Sequence, residues 1–173
     1  MAPHLNALAK SDLPDKFKKF RKSNQKSQRE TLQAAIFSRG LSVVLGNPVM
    51  GFAMVEDQDY DCVVRHIKDG FDNYTPVQLK ELVPSSLIPG PPVQPEVALE
   101  AEFRKLEKYS DSADLVVAFY LNRTAHFGPI KKPHLKLGGL WLFGAEAKNP
   151  SSWLMIGDLL FDSPAVYEFQ LLA

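Results

Sequence analysis

Asp59-Tyr60-Asp61-Cys62-Val63-Val64, followed after the turn signal Asp69-Gly70 by Tyr74-Thr75-Pro76-Val77-Gln78-Leu79-Lys80-Glu81-Leu82, is the stretch on which the reading of this chain turns. Both runs are apolar, rich in β-branched and aromatic residues and bounded by turn formers, so they predict two consecutive strands. Side chains alternate along a strand. Gln78 and Lys80 therefore share one face, while Val77 and Leu79 take the other and can enter a core. If the first strand pairs with the second, Asp61 lies across from them, and a carboxylate, a carboxamide and an ammonium group meet at one end of a sheet. Such a set suits a divalent cation and an activated water. Asp59 competes with Asp61, because both fall on the same face two residues apart; Asp61 is preferred because the apolar run begins immediately after it.

Working outward, Gln25 to Ser38 lacks breakers and places Leu32, Ala35 and Ile36 on one helical stripe that ends at Arg39-Gly40, with glycine at the expected cap. A further helix is expected over Lys16 to Lys22, started by Ser11-Asp12-Leu13-Pro14. Leu41 to Leu45 and Val49 to Val55, joined by Gly46-Asn47-Pro48, resemble a hairpin. Beyond the opening pair, Pro84 to Pro92 is too proline-rich for a ladder or a helix and reads as a loop. Pro95 to Tyr109 predicts a helix, with acids early, Lys105 and Lys108 late, and Val97, Leu99, Phe103 and Leu106 as apolar positions. Asp114 to Leu121 is nearly continuous apolar sequence, as expected of a strand covered on both faces. Residues 123 to 136 form a basic loop, and Leu140 to Phe143 and Trp153 to Leu160 predict two more strands. The expected fold class is α/β, a mixed central sheet flanked by helices. It occupies a single domain over 1–173, with residues 1–12 as a loose terminus.

The 173 residues are 45% hydrophobic and 23% charged, enough to bury a core without disulfides. No apolar run approaches the roughly 20 residues of a membrane helix. No basic region followed by an apolar core opens the chain, so a cytoplasmic location is expected and no membrane partner. Charge is uneven: residues 1–40 carry nine Lys or Arg against three acids, leaving the rest at −6. The basic segment 16–29 could meet phosphates, or could simply solvate a helix whose Phe17 and Phe20 pack inward. The single cysteine, Cys62, falls in a strand and reads as an inert buried thiol.

The order helix, strands, Asp strand, Gln-x-Lys strand, helix and buried strand over residues 24–122, with Asp61 and then Gln78-Leu79-Lys80, resembles the PD-(D/E)XK, restriction-endonuclease-like nuclease superfamily in its Asp…Gln-x-Lys variant. The resemblance implies a metal-dependent nuclease hydrolysing DNA phosphodiester bonds with Mg²⁺ or Mn²⁺. Glu30 matches the helical acid, Asp61 the metal-binding aspartate, Gln78 the position usually held by Glu or Asp, and Lys80 the catalytic lysine. Asp61, Gln78 and Glu30 are the implied metal ligands, DNA the implied partner, and a homodimer an assembly to test. Two departures stand out. No proline precedes Asp61, and Gln78 offers a neutral carbonyl, a weaker Mg²⁺ ligand than a carboxylate. The alternative is a catalytically inactive member of the fold that binds nucleic acid or protein; a regulatory protein with no nucleic-acid role comes third. On the plainest reading, Gln78 and Lys80 merely face solvent on an amphipathic strand.

Other residues point to less. His66 could approach the site but more often such a histidine is a surface one, and His126 and His134 lack zinc spacing and any cysteine partner. Trp141 and Trp153 fall inside apolar strands and read as core. No glycine-rich phosphate loop is present.

Overall fold

A computed structural model of the chain describes residues 26–47, 51–55, 59–83, 91, 93–109, 112–122, 134–149 and 151–171. The elements in order are α1 (Lys26–Val44), β1 (Gly51–Met54), β2 (Cys62–Lys68), β3 (Phe71–Leu82), α2 (Pro95–Lys105) running into a 3₁₀ turn (Leu106–Tyr109), β4 (Ser112–Leu121), β5 (Leu137–Ala145), β6 (Ser152–Gly157) and β7 (Ala165–Gln170). The expected helix over Lys16 to Lys22, most of the Pro84 to Pro92 connection and residues 123–133 of the basic loop lie outside the described residues.

The seven strands form one mixed sheet in which each strand pairs with its neighbour in sequence. β1, β2 and β3 are antiparallel, β3, β4 and β5 run parallel, and β6 and β7 return antiparallel. The β2–β3 hairpin closes with Lys68 opposite Phe71. Its two turn residues, Asp69 and Gly70, have φ of 54° and 80°. Two positive φ values in a two-residue loop match the right-handed twist of the strands, and Asp-Gly is the pair that tolerates them. Parallel β3 and β4 need a crossover, and α2 supplies it, started by Pro95 in the first turn where a missing N–H costs nothing.

Strand alternation splits the core in two. Cys62, Val64, Val77, Leu79, Val116 and Ala118 face α1, where they meet Ala34, Ile36, Phe37 and Leu41. Leu115, Val117, Phe119, Leu140 and Leu142 face α2, meeting Leu99, Phe103, Leu106 and Tyr109. The mixed α/β sheet with a helix on either face is thus as expected. Trp153 is buried and Trp141 packs partly against the same cluster, both as core. Among the described residues no helix is long and apolar enough to cross a membrane.

Three expectations are corrected. Leu41 to Leu45 is not a strand: α1 continues through Gly40 to Val44. A Cβ on Gly40 would lie 2.8 Å from the Met155 sulfur and 2.9 Å from the Phe169 ring, so this glycine permits close helix–sheet approach and caps nothing. The partner of β1 is β2. The strand expected over Trp153 to Leu160 stops at Gly157, where Asp158 turns the chain, and the edge strand β7 went unforeseen.

Candidate functional site

The β2–β3 register pairs Cys62 with Val77, which carries Asp61 onto Gln78 directly opposite. Asp61 is held on both sides by main-chain bonds, its N–H to the Val77 carbonyl at 2.9 Å and its carbonyl accepting from Val55 N–H at 3.0 Å. The carboxylate oxygen Oδ2 then accepts the Leu79 N–H at 2.7 Å and a second bond from Gln78 Nε2. Gln78 is buried, yet its amide is fully used. Nε2 also lies 3.4 Å from the Leu79 carbonyl, and Oε1 accepts from the Tyr109 hydroxyl at 3.2 Å. Lys80, half-buried and two residues further on the same face, places its Nζ 5.9 Å from the centre of the Tyr109 ring, and Lys108 Nζ sits 4.6 Å from that centre. Both ammonium groups thus stand within cation–π range of one ring.

Asp61 and Gln78 are therefore in direct contact, while Lys80 follows on the same face of β3 and meets them only by way of Tyr109, which bonds Gln78 and lies 5.9 Å from the lysine ammonium. Glu30 is placed elsewhere. It lies on α1, which packs on the face of Val77, Leu79 and Glu81, and its carboxylate pairs with Lys26 at 3.4 Å. The neighbouring Arg29 reaches Glu81 at 3.4 Å, and Glu81 accepts from Asn122 Nδ2 at 2.7 Å, so that side of β3 is tied into an ion-pair network of its own. His66 shares the Cys62 and Val64 face of β2, away from Asp61 by the same alternation. Cys62 is fully buried, and its thiol is pushed up to about 12 by burial first and by the adjacent Asp61 charge second. It stays protonated at neutral pH and is no nucleophile.

Among the described residues no three His, Cys, Asp or Glu side chains converge on a point where a metal could be held. Any cation here would need oxygens besides the Asp61 carboxylate, and the Leu79 carbonyl stands close to it. The Gln78 Nε2 amino group, with its positive N–H hydrogens, sits between Asp61 Oδ2 and the Leu79 carbonyl. Turning the amide over would put Oε1 beside those two oxygens, giving the all-oxygen set that hard cations take. The Tyr109 hydroxyl can donate to Oε1 or accept from Nε2, so its bond survives either orientation.

Next to this pair opens a cleft of about 400 Å³ lined by Asp59, Tyr60, Pro76, Lys108, Tyr109, Ser112, Ala113, Asp114 and Leu115. Neither the cleft nor Tyr109 was foreseen from the sequence. The signal for Tyr109 was there: the apolar stripe of Leu99, Phe103 and Leu106 reaches it at the next helical step, and a tyrosine that follows such a stripe inward needs a partner for its hydroxyl.

Comparison with protein-family models, with curated proteins and with solved structures finds no match for this chain.

Proposed function

We propose that this protein is a metal-dependent nuclease of restriction-endonuclease-like architecture that hydrolyses DNA phosphodiester bonds. The observation that carries the reading is the contact between Asp61 and Gln78 across β2 and β3, with Lys80 two residues on along the same face. The order α1, β1, β2, β3, α2, β4, with an antiparallel meander followed by a parallel crossover strand, supports it.

In this reading Asp61, the Gln78 carbonyl oxygen and the Leu79 carbonyl would hold Mg²⁺. A bound Mg²⁺ would supply a water of lowered pKa and offset charge developing on the phosphate. Asp61 brings the only formal negative charge of that set, and the Leu79 N–H fixes its orientation at 2.7 Å. Lys80 orients the attacking water and stabilises the pentavalent phosphate, and the Tyr109 ring beneath its ammonium limits where that charge can swing.

Incubating the purified chain with plasmid and single-stranded DNA in Mg²⁺ or Mn²⁺ tests this. Cutting is expected, lost in chelator and reduced about 10²- to 10³-fold by Lys80→Ala with melting unchanged. No cutting by the wild type, or equal cutting by the variant, refutes it.

One observation favours a second reading, a non-catalytic binding module. Gln78 presents Nε2 rather than Oε1 to Asp61, so the carboxylate is satisfied without a cation. Salt-dependent DNA binding with no metal-stimulated turnover is the outcome that selects it.

A further inference from the structure

Apart from Tyr109, the lining of the cleft beside the Asp61 and Gln78 pair has no part in the chemistry above, and its chemical character is specific. Its volume, about 400 Å³, falls in the range of small-ligand sites. Two aromatic residues, Tyr60 and Tyr109, and the ring of Pro76 wall it, which suits a flat apolar body. Two carboxylates, Asp59 and Asp114, stand with them. Their charge repels a phosphate, and the exposed Asp114 can accept from N–H groups, so it matches the edge of a nucleobase and not its backbone. Lys108, the cation among the described residues of the lining, lies against the Tyr109 ring at 4.6 Å and is exposed, where a backbone phosphate can reach it.

Position ties the cleft to the nuclease site. Pro76, Gln78 and Lys80 lie on the same face of β3 at alternate residues, so the cleft begins one strand repeat, about 7 Å, from Gln78. One repeat further on the same face stands Tyr74, 64% exposed, a platform on which the next base can stack. A paired, stacked base cannot enter such a cleft, whereas an unpaired one can.

We infer that the cleft is a subsite for one unpaired, amino-bearing nucleobase, so that the chain engages single-stranded and not fully paired nucleic acid. Cytosine, adenine and guanine carry the exocyclic amino group that Asp114 would accept from; thymine does not. The subsite rests on the reading of Asp61, Gln78 and Lys80 as the point of phosphodiester attack, yet its occupancy is measurable without metal.

The experiment is fluorescence anisotropy of the full chain in chelator with labelled oligodeoxycytidine and oligothymidine of about eight nucleotides and a blunt hairpin duplex. Oligodeoxycytidine is expected to bind about tenfold tighter than either of the others. Lys108→Ala weakens both single strands about fivefold while the preference stays, and Asp114→Ala removes the preference. Both residues are exposed, so folding is retained and circular dichroism verifies it. Equal affinity for all three probes, no binding, or variants indistinguishable from wild type overturns the subsite. The two proposals separate cleanly. Preference without metal-dependent cutting leaves the subsite and removes the nuclease, and cutting without preference does the reverse.

Discussion

Two aspartates beside strand ends, one before β2 and one after β6, do the same thing in different parts of the sheet. Asp61 accepts the N–H of Leu79 across β2 and β3; Asp158, just after β6, accepts the N–H of Leu140 on β5 at 2.9 Å. Their second bonds differ. Asp158 uses the same oxygen to accept the Leu160 N–H at 3.0 Å, so these two partners are main chain and cannot leave without unfolding a turn. Asp61 takes its second bond from the side chain of Gln78, whose amide can turn over while the backbone stays put. A carboxylate bonded only to backbone is a staple. One bonded to a reorientable side chain can change that partner while the strands stay paired.

That contrast can be broken in three ways. The largest effect is expected at the staple: Asp158→Ala leaves the N–H groups of Leu140 and Leu160 without their charged acceptor and should cost about 3 kcal/mol in urea unfolding, with no change in nucleic-acid binding. A loss confined to binding would reverse the roles of the two aspartates. Next comes Gln78→Glu. Without metal the new carboxylate faces Asp61 with no donor between them, so stability should fall by about 2 kcal/mol, and Mg²⁺ should raise the melting temperature of the variant more than that of the wild type. An equal, metal-independent melting temperature would mean that the two side chains do not share a cation. The smallest effect is at Tyr109→Phe, which removes one neutral hydrogen bond to Gln78 Oε1 and should cost about 1 kcal/mol, accompanied by altered metal response if the amide orientation depends on that hydroxyl.

Much of this was legible in the residues, for local reasons. Asp69-Gly70 dictates a tight hairpin, and strand alternation from there puts Asp61 against Gln78 with no tertiary information required. The helix Pro95 to Tyr109 and the apolar β4 announce themselves by period and by the lack of polar positions. What was not legible depends on partners distant in sequence. Gly40 looks like a helix cap until Met155 and Phe169 are seen against it. β7 buries only Phe169 among its six residues, leaving too faint a pattern for an edge strand to be read. At the site, the Asp61 and Gln78 contact follows from pairing alone, whereas Tyr109 and the cleft arise where β2, β3, the end of α2 and the start of β4 converge. Glu30 sits on α1, and which face of the sheet that helix covers is a tertiary outcome.

The position of α1 has a consequence for how the molecule comes into being. β1 and β7 are the two edges of the sheet, and this one helix packs against both of them. Arg39 Nε of α1 donates to the Gln170 carbonyl, 131 positions later in the chain. On the ribosome, where residues appear in order, the helix emerges before every strand of the sheet and its β7 partners come last. Its apolar side waits through the synthesis of all seven strands, and the last of them closes the circle from edge to edge. Removing β7 would therefore expose the beginning of the fold as well as its end.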